Sequence, residues 1–200
     1  MVKCRPSKSK TAGSSPALRS KFWSNAEDIH FNIPENNLHI RVLDDLHYWA
    51  KRTFKSSFSL LDIGQGNGRL LKRFDGSIPA EVTMVDFSEK GRRLAQGNTG
   101  ILPDKWDGVT LPYKNNSFDL LVLFDVLLHI DPVLIKQVWS EVKRVSSRYI
   151  FVTTSTFPLS KSSHFCFSHD YETLFKDETS RVTFEYPHRY AKITGWYFDL

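Results

Sequence analysis

Two hundred residues, 40% of them apolar and 14% aromatic, are enough for one globular domain with a full core. The net charge of +5 is unevenly placed: Lys3, Arg5, Lys8, Lys10, Arg19 and Lys21 lie in residues 1–26, which hold no acid, and the rest carries 21 basic and 22 acidic side chains. Two cysteines, Cys4 and Cys166, exclude a disulfide framework and fit a reducing compartment, and the longest apolar run, 118–130, is too short and too interrupted by Asp119 and Asp125 to span a bilayer.

In chain order, residues 1–21 read as a disordered basic tail rich in Ser and Pro, and 22–200 as the folded domain. The tail lacks the apolar stretch of a secretory signal, so the expected compartment is the cytoplasm. Two other readings of the tail are organelle targeting, although Pro6 and Pro16 spoil an amphipathic helix, and an arm that touches nucleic acid. Residues 37–53 are predicted helical: Leu38, Val42, Leu46, Trp49 and Ala50 recur at helical spacing, with Asn36 or Asn37 as cap. Phe58–Ile63 is the first strand, and Gly68–Phe74 a short helix that Gly76 ends. Glu81–Asp86 is the second strand, and Ser88 caps a helix over Glu89–Gln96.

A short third strand is expected near Gly108–Leu111, between the breaks at Pro103 and Pro112. Phe118–Leu127 is nearly continuous in apolar residues, as a strand covered on both faces should be. Asp131-Pro132 opens a helix whose buried stripe is Ile135, Val138, Trp139, Val142 and Val145. Tyr149–Thr154 is a fifth strand, His169–Lys176 a short helix, and Val182–Tyr186 and Thr194–Phe198 two late strands with no helix between them. Strands alternating with helices predict an α/β fold: a three-layer α/β/α sandwich on a mostly parallel, seven-stranded sheet, ending in an antiparallel strand pair.

Residues 60–71, Leu-Leu-Asp-Ile-Gly-Gln-Gly-Asn-Gly-Arg-Leu-Leu, carry the functional signal. An apolar strand stops at Gly64, Gly66 and Gly68 and a helix begins. A turn without Cβ atoms admits a ligand to the backbone, and the helix start offers free N–H groups. Asp86 follows Gly64 by 22 residues at the end of the next strand, where open parallel sheets hold ribose hydroxyls.

Four segments together resemble the class I S-adenosylmethionine-dependent methyltransferases over roughly residues 37–200. They are the glycine turn, Val85-Asp86-Phe87-Ser88, Leu111-Pro112-Tyr113 through Ser117-Phe118-Asp119-Leu120, and Val126-Leu127-Leu128-His129-Ile130. The resemblance implies S-adenosyl-L-methionine as cofactor. It implies that Gly64, Gly66 and Gly68 let the backbone pass close to the donor, that Asp62 faces the methionine amino group, and that Asp86 accepts the ribose hydroxyls. Phe87 would lie against the adenine, Asp107 (with Asp104 as fallback) would receive its amino group, and Phe124 and Asp125 would sit near the sulfonium. His129 is the nearest candidate base.

Methyl transfer from a sulfonium needs alignment and exclusion of water, and a base only where the acceptor must lose a proton. The expected activity is transfer to a small-molecule or sugar-like acceptor by in-line displacement. The segment after the fourth strand lacks the Asn/Asp-Pro-Pro-Tyr/Phe motif of exocyclic-amine methylation. Competing readings are an RNA methyltransferase using the basic tail and a catalytically silent binding module. A nicotinamide oxidoreductase is a weak fourth, because Arg69 follows the last glycine and no Tyr-x-x-x-Lys occurs. His164, Cys166 and His169 offer three ligands with no fourth, so no metal is expected. The resemblance implies that the acceptor side is shaped by the segment after the fifth strand, with Lys161, His164, His169, Tyr171, Arg181, His188, Arg189 and Tyr190, and on the other side by Trp23, Phe31 and Trp49.

Overall fold

The computed structural model describes residues 38–74, 76, 78–156, 166–178, 181–188 and 191–200. The basic tail, the caps Asn36 and Asn37, Trp23, Phe31, Lys161, His164, Arg189, Tyr190 and the side chain of His188 lie outside the described residues. The elements in order are α1 (Leu38–Thr53), β1 (Phe58–Ile63), α2 (Arg69–Phe74), β2 (Ala80–Asp86), α3 (Glu89–Thr99) and β3 (Asp104–Lys105). There follow β4 (Phe118–Phe124), a 3-10 turn (Leu127–His129), α4 (Ile135–Val145), β5 (Ser146–Thr156), α5 (Tyr171–Leu174), β6 (Arg181–His188) and β7 (Ala191–Asp199).

The seven strands form one sheet in the order β3-β2-β1-β4-β5-β7-β6. Pairs from β3 to β5 are parallel, and β7 runs antiparallel to both β5 and β6. This is the predicted sheet with its late antiparallel pair. Alternate residues of the central strands serve opposite faces. Leu60, Leu120, Val122 and Phe151 meet Val42, Leu43 and Leu46 of α1 and Leu70 and Phe74 of α2. Leu61, Leu121, Leu123, Ile150 and Val152 meet Val138, Trp139 and Val142 of α4 and Phe175 just past α5. Burial on both faces is why β4 reads as an unbroken apolar run.

Several boundaries differ from the sequence reading, and three of them have a clear local reason. The third strand is Asp104–Lys105, not Gly108–Leu111. Asp107 accepts from the N–H groups of Val109 (2.8 Å) and Thr110 (2.7 Å), and Gly108 has φ +89°, so that segment is a turn. β4 stops at Phe124 because Asp125 has φ +59°, which no strand accommodates. Asp131 starts a turn, accepting from Val133 N at its side chain and from Leu134 N at its carbonyl, and α4 proper begins at Ile135.

The loop before β4 is pinned to α4. Arg144 forms a two-pronged pair with Glu141 and donates to the carbonyls of Leu111 (3.0 Å) and Tyr113 (2.8 Å), while Glu141 accepts from Leu111 N.

Gly195 of β7 pairs with Phe184 of β6, and the ring lies over it: a Cβ added to Gly195 would stand 2.0 Å from Phe184 Cζ. Gly195→Ala is therefore expected to cost about 1–3 kcal/mol, the range of small-to-large changes in packed interiors. Urea unfolding checks this; an unchanged midpoint would show that the ring is not seated there.

Candidate functional site

Successive strands β1, β2 and β3 step outward on one side, and β4 returns to the other side of β1. Ligands in such sheets bind at the carboxyl ends of the strands where the order reverses. Three pieces of chain meet there: the turn after β1, the end of β2 and the end of β4.

The turn runs through Gly64, Gly66 and Gly68, all at positive φ (+68°, +57° and +80°). Two of these are also steric necessities. A Cβ on Gly64 would stand 2.7 Å from Val126 Cγ2, and one on Gly68 would stand 2.8 Å from Thr99 Cγ2 of α3. Gly64 N donates to Val85 O (2.7 Å), which ties the turn to β2.

Asp86 closes β2 and points inward. Its Oδ1 accepts from Ser88 N (2.7 Å) and its Oδ2 from Gly66 N (3.2 Å), so the acid of β2 is locked onto the turn of β1. Ser88 in turn caps α3 by accepting from Gly91 N (3.1 Å). Each oxygen of Asp86 keeps a further lone pair. Burial pushes its pKa up to about 6, although the bonds from Ser88 and Gly66 oppose that.

Asp62, on the α1/α2 face of β1, is 3% exposed. Burial, then the charge of Asp86, raises its pKa to about 7 against the pull of Arg69. Asp62 lines a small hollow with Leu43, Gly64, Gln65, Arg69, Leu70 and Phe124. The hollow is partly open, with about 20 Å³ of space, enough for about one water-sized group.

At the end of β4, Asp125 is held in its strained conformation from two sides. Its N–H donates to the carbonyl (3.3 Å) and hydroxyl (3.1 Å) of Thr153, and its Oδ2 accepts from His39 Nε2 at 2.8 Å. His39 comes from the first turn of α1 and lies beside the Phe124 ring, centroids 5.5 Å apart. The pair fastens α1 to the site.

Asp62, Gly64 and Phe124 line the hollow; Asp86 is bonded to Gly66 of the same turn, Asp125 directly follows Phe124, and Phe87, just past Asp86, packs against the core. Asp107 lies one residue beyond Trp106, whose N–H donates to Asp86 O, and caps its own turn with Oδ1. The fallback Asp104 is taken by the Tyr113 hydroxyl (2.8 Å). His129 Nδ1 stands 3.7 Å from Cys166 Sγ. Among the described residues, no group of three His, Cys, Asp or Glu side chains is placed to hold a metal, and no helix is long and apolar enough to cross a membrane.

Sequence reasoning missed three residues of this cleft: His39, Gln65 and Arg69. Gln65 lies inside the glycine turn and Arg69 directly follows it, so adjacency was the available signal. Nothing in the sequence joins His39 to Asp125, 86 residues away.

Residues 61–148 match the methyltransferase domain family. A demethylmenaquinone methyltransferase from Chlamydia pneumoniae is 33% identical over 86 residues, 38% of this chain and 36% of that one, so the likeness spans about a third of that relative's length. Among solved structures, a SAM-dependent methyltransferase from Leishmania major superposes with a TM-score of 0.71 at 14% identity, covering 92% of this chain and 82% of that one. A magnesium protoporphyrin IX methyltransferase from Synechocystis with bound SAH gives 0.69 at 17% identity, covering 92% and 100%.

Proposed function

We propose that this chain, a methyltransferase domain over residues 61–148 on the class I methyltransferase fold, binds S-adenosylmethionine across its glycine turn and passes the methyl group to a small-molecule or sugar-like acceptor. The observation that carries the reading is Asp86: a buried carboxylate fixed to Gly66 N beside a Cβ-free turn, at the point where the strand order reverses. The residues fit the donor. The spare lone pairs of Asp86 take the ribose hydroxyls, Phe87 lies against the adenine, and Asp107 offers its second oxygen to the adenine amino group. Asp62 meets the ammonium, while Phe124 and Asp125 present an aromatic face and a negative charge to the sulfonium.

S-adenosylmethionine supplies a methyl group already activated for in-line displacement. The protein's tasks are to align and to exclude water. Leu43 and Phe124 wall the hollow with apolar surface. His129 serves as base only for an acceptor that must lose a proton. A small acceptor agrees with the named substrates of the Synechocystis structure and the chlamydial relative, and with the segment Phe124-Asp125-Val126-Leu127-Leu128-His129-Ile130, which lacks the exocyclic-amine motif.

Calorimetry with S-adenosylmethionine tests the donor half, and pH adds a signature. Asp62 and Asp86 are buried acids with raised pKa values, so the free folded state holds their protons more tightly than the unfolded chain. The stability of the free protein therefore falls as pH rises from about 4 to 7. A cationic ligand favours the ionised forms, so binding releases protons. Affinity is expected to rise with pH below about 7, by up to about tenfold per pH unit for each proton released, and to level off above it. Absence of binding heat at pH 6 and at pH 8 would end the proposal. Labelled methyl donor offered to fractionated cell extract tests the acceptor half; label entering RNA and not small molecules would overturn it.

A further inference from the structure

Asp125 keeps φ +59° directly after the strand that ends at Phe124. Such backbone strain persists only where the surroundings over-determine it, and it gathers at functional sites. Two elements supply the restraint. Thr153 of β5 accepts the Asp125 N–H at its hydroxyl (3.1 Å) and donates back to Oδ1 (3.4 Å), while His39 of α1 donates to Oδ2 from Nε2 (2.8 Å). His39 is buried, and Leu43, one turn further along α1, lines the hollow beside Phe124. The charge of Asp125 reaches Arg69 in the hollow and also Tyr171 of α5, whose hydroxyl donates to Thr154 near the end of β5 (3.3 Å). This acid is thus coupled to the hollow and to α5 at once, and its shortest side-chain bond comes from a helix that precedes the glycine turn.

We propose that His39 is a positioning residue: by fixing the Asp125 carboxylate next to Phe124 it aims one negative charge at the sulfonium, and so tilts the cleft toward the methyl-bearing donor and away from the demethylated product. The inference rests on the donor-binding reading above and adds a discrimination between loaded and spent cofactor. One charge separates the two compounds. Transfer breaks the S–CH3 bond, the bonding pair stays on sulfur, and the cationic sulfonium becomes the neutral thioether of S-adenosylhomocysteine. The ribose, the adenine and the amino-acid end are common to both, so only a group near sulfur tells them apart. A carboxylate does this through its distance: withdrawing one unit charge from about 4 to about 6 Å of another weakens binding by about tenfold at an effective dielectric of about 20. His39 reaches Asp125 from outside residues 61–148, so the matched span does not contain this control.

Calorimetry at pH 8 on the whole chain gives the ratio of affinities for S-adenosylmethionine and S-adenosylhomocysteine, in the unaltered protein and in variants. His39→Asn, whose shorter side chain does not reach Oδ2, is expected to move that ratio about tenfold toward S-adenosylhomocysteine. His39→Gln, which carries an N–H donor to the place of Nε2, should stay within about threefold of the unaltered ratio. Asp125→Asn should move the ratio the same way by as much or more, and adding His39→Asn to it should move it no further, because both act through one carboxylate. Asp86→Asn should weaken both compounds alike and keep the ratio. A His39 that only packs would treat Asn and Gln alike and change both affinities together; that result, an additive double variant, or an unmoved ratio in Asp125→Asn would overturn the inference and leave the donor reading standing. Should His39→Asn not fold, His39→Leu, which fills the space without a donor, takes its place in the comparison. Binding of neither compound by the unaltered protein would overturn this inference and the donor reading together.

Discussion

Asp86→Ala is expected to lower affinity for S-adenosylmethionine by about a hundredfold while the protein stays folded. In the proposed donor complex the carboxylate accepts two hydroxyl hydrogen bonds, and bonds to a charged group are worth about 1.5–3 kcal/mol each, where every 1.4 kcal/mol is tenfold. The fold should tolerate the change because two effects oppose each other. Ser88 N and Gly66 N lose their acceptor, but a desolvated charge whose pKa stands near 6 is also removed. A shift of less than about 5 °C in Tm is expected. Asp86→Asn, which keeps an acceptor oxygen without the charge, should fall between the two in affinity. Calorimetry and thermal unfolding on the same preparations read both quantities, and an Asp86→Ala protein within threefold of normal affinity would remove this residue from the site.

Gly64→Val should be the most damaging single change in the cleft, at about 3–5 kcal/mol of stability. Two costs combine. Residue 64 has φ +68°, a region that costs an ordinary side chain about 1–2 kcal/mol and a β-branched one more. Its Cβ would also stand 2.7 Å from Val126 Cγ2, and overpacking of this kind typically costs about 1–3 kcal/mol. Adding Val126→Ala separates the two terms: it should restore the packing part and leave the backbone part. Urea unfolding of the single and double variants measures this. If Gly64→Val unfolds at the normal midpoint, the turn is not shaped as described.

The readable parts of the site are those where chemistry and chain order coincide. Gly64, Gly66 and Gly68 announce a turn by composition, and Asp86 announces itself as the acid ending the next strand. The nearly continuous apolar run over Phe118–Leu127 and the alternation of strands with helices make the sheet legible in the same way. What escaped depends on distance or on backbone angles. His39 meets Asp125 only after α1 folds across the sheet, and no periodicity encodes that meeting. The positive φ of Asp125, which ends β4 three residues before the apolar run does, is imposed by Thr153 and His39. The family resemblance assigns Asp107 to the adenine amino group. Its first oxygen proves to be the cap of a turn, and that turn displaced the expected third strand. Gln65 lies inside the glycine motif and Arg69 directly follows it, yet the sequence assigns neither a role in the site. Each holds a buried polar atom without a hydrogen-bond partner among the described residues, a property that only packing reveals.

The ring of Phe184 over Gly195 sets how β6 and β7 can align. Antiparallel neighbours can slide by two residues without turning any side chain to the wrong face, so pattern alone does not forbid that error. Such a slide would carry the ring onto Ile193 or Tyr197, and only Gly195 offers it a vacant notch. The hairpin thereby counts its own steps. On its other edge Gly195 faces Thr153 of β5, the residue that steadies Asp125. An aromatic plug near the rim of the sheet thus sets the alignment of a strand whose neighbour holds the most contorted acid of the cleft in place.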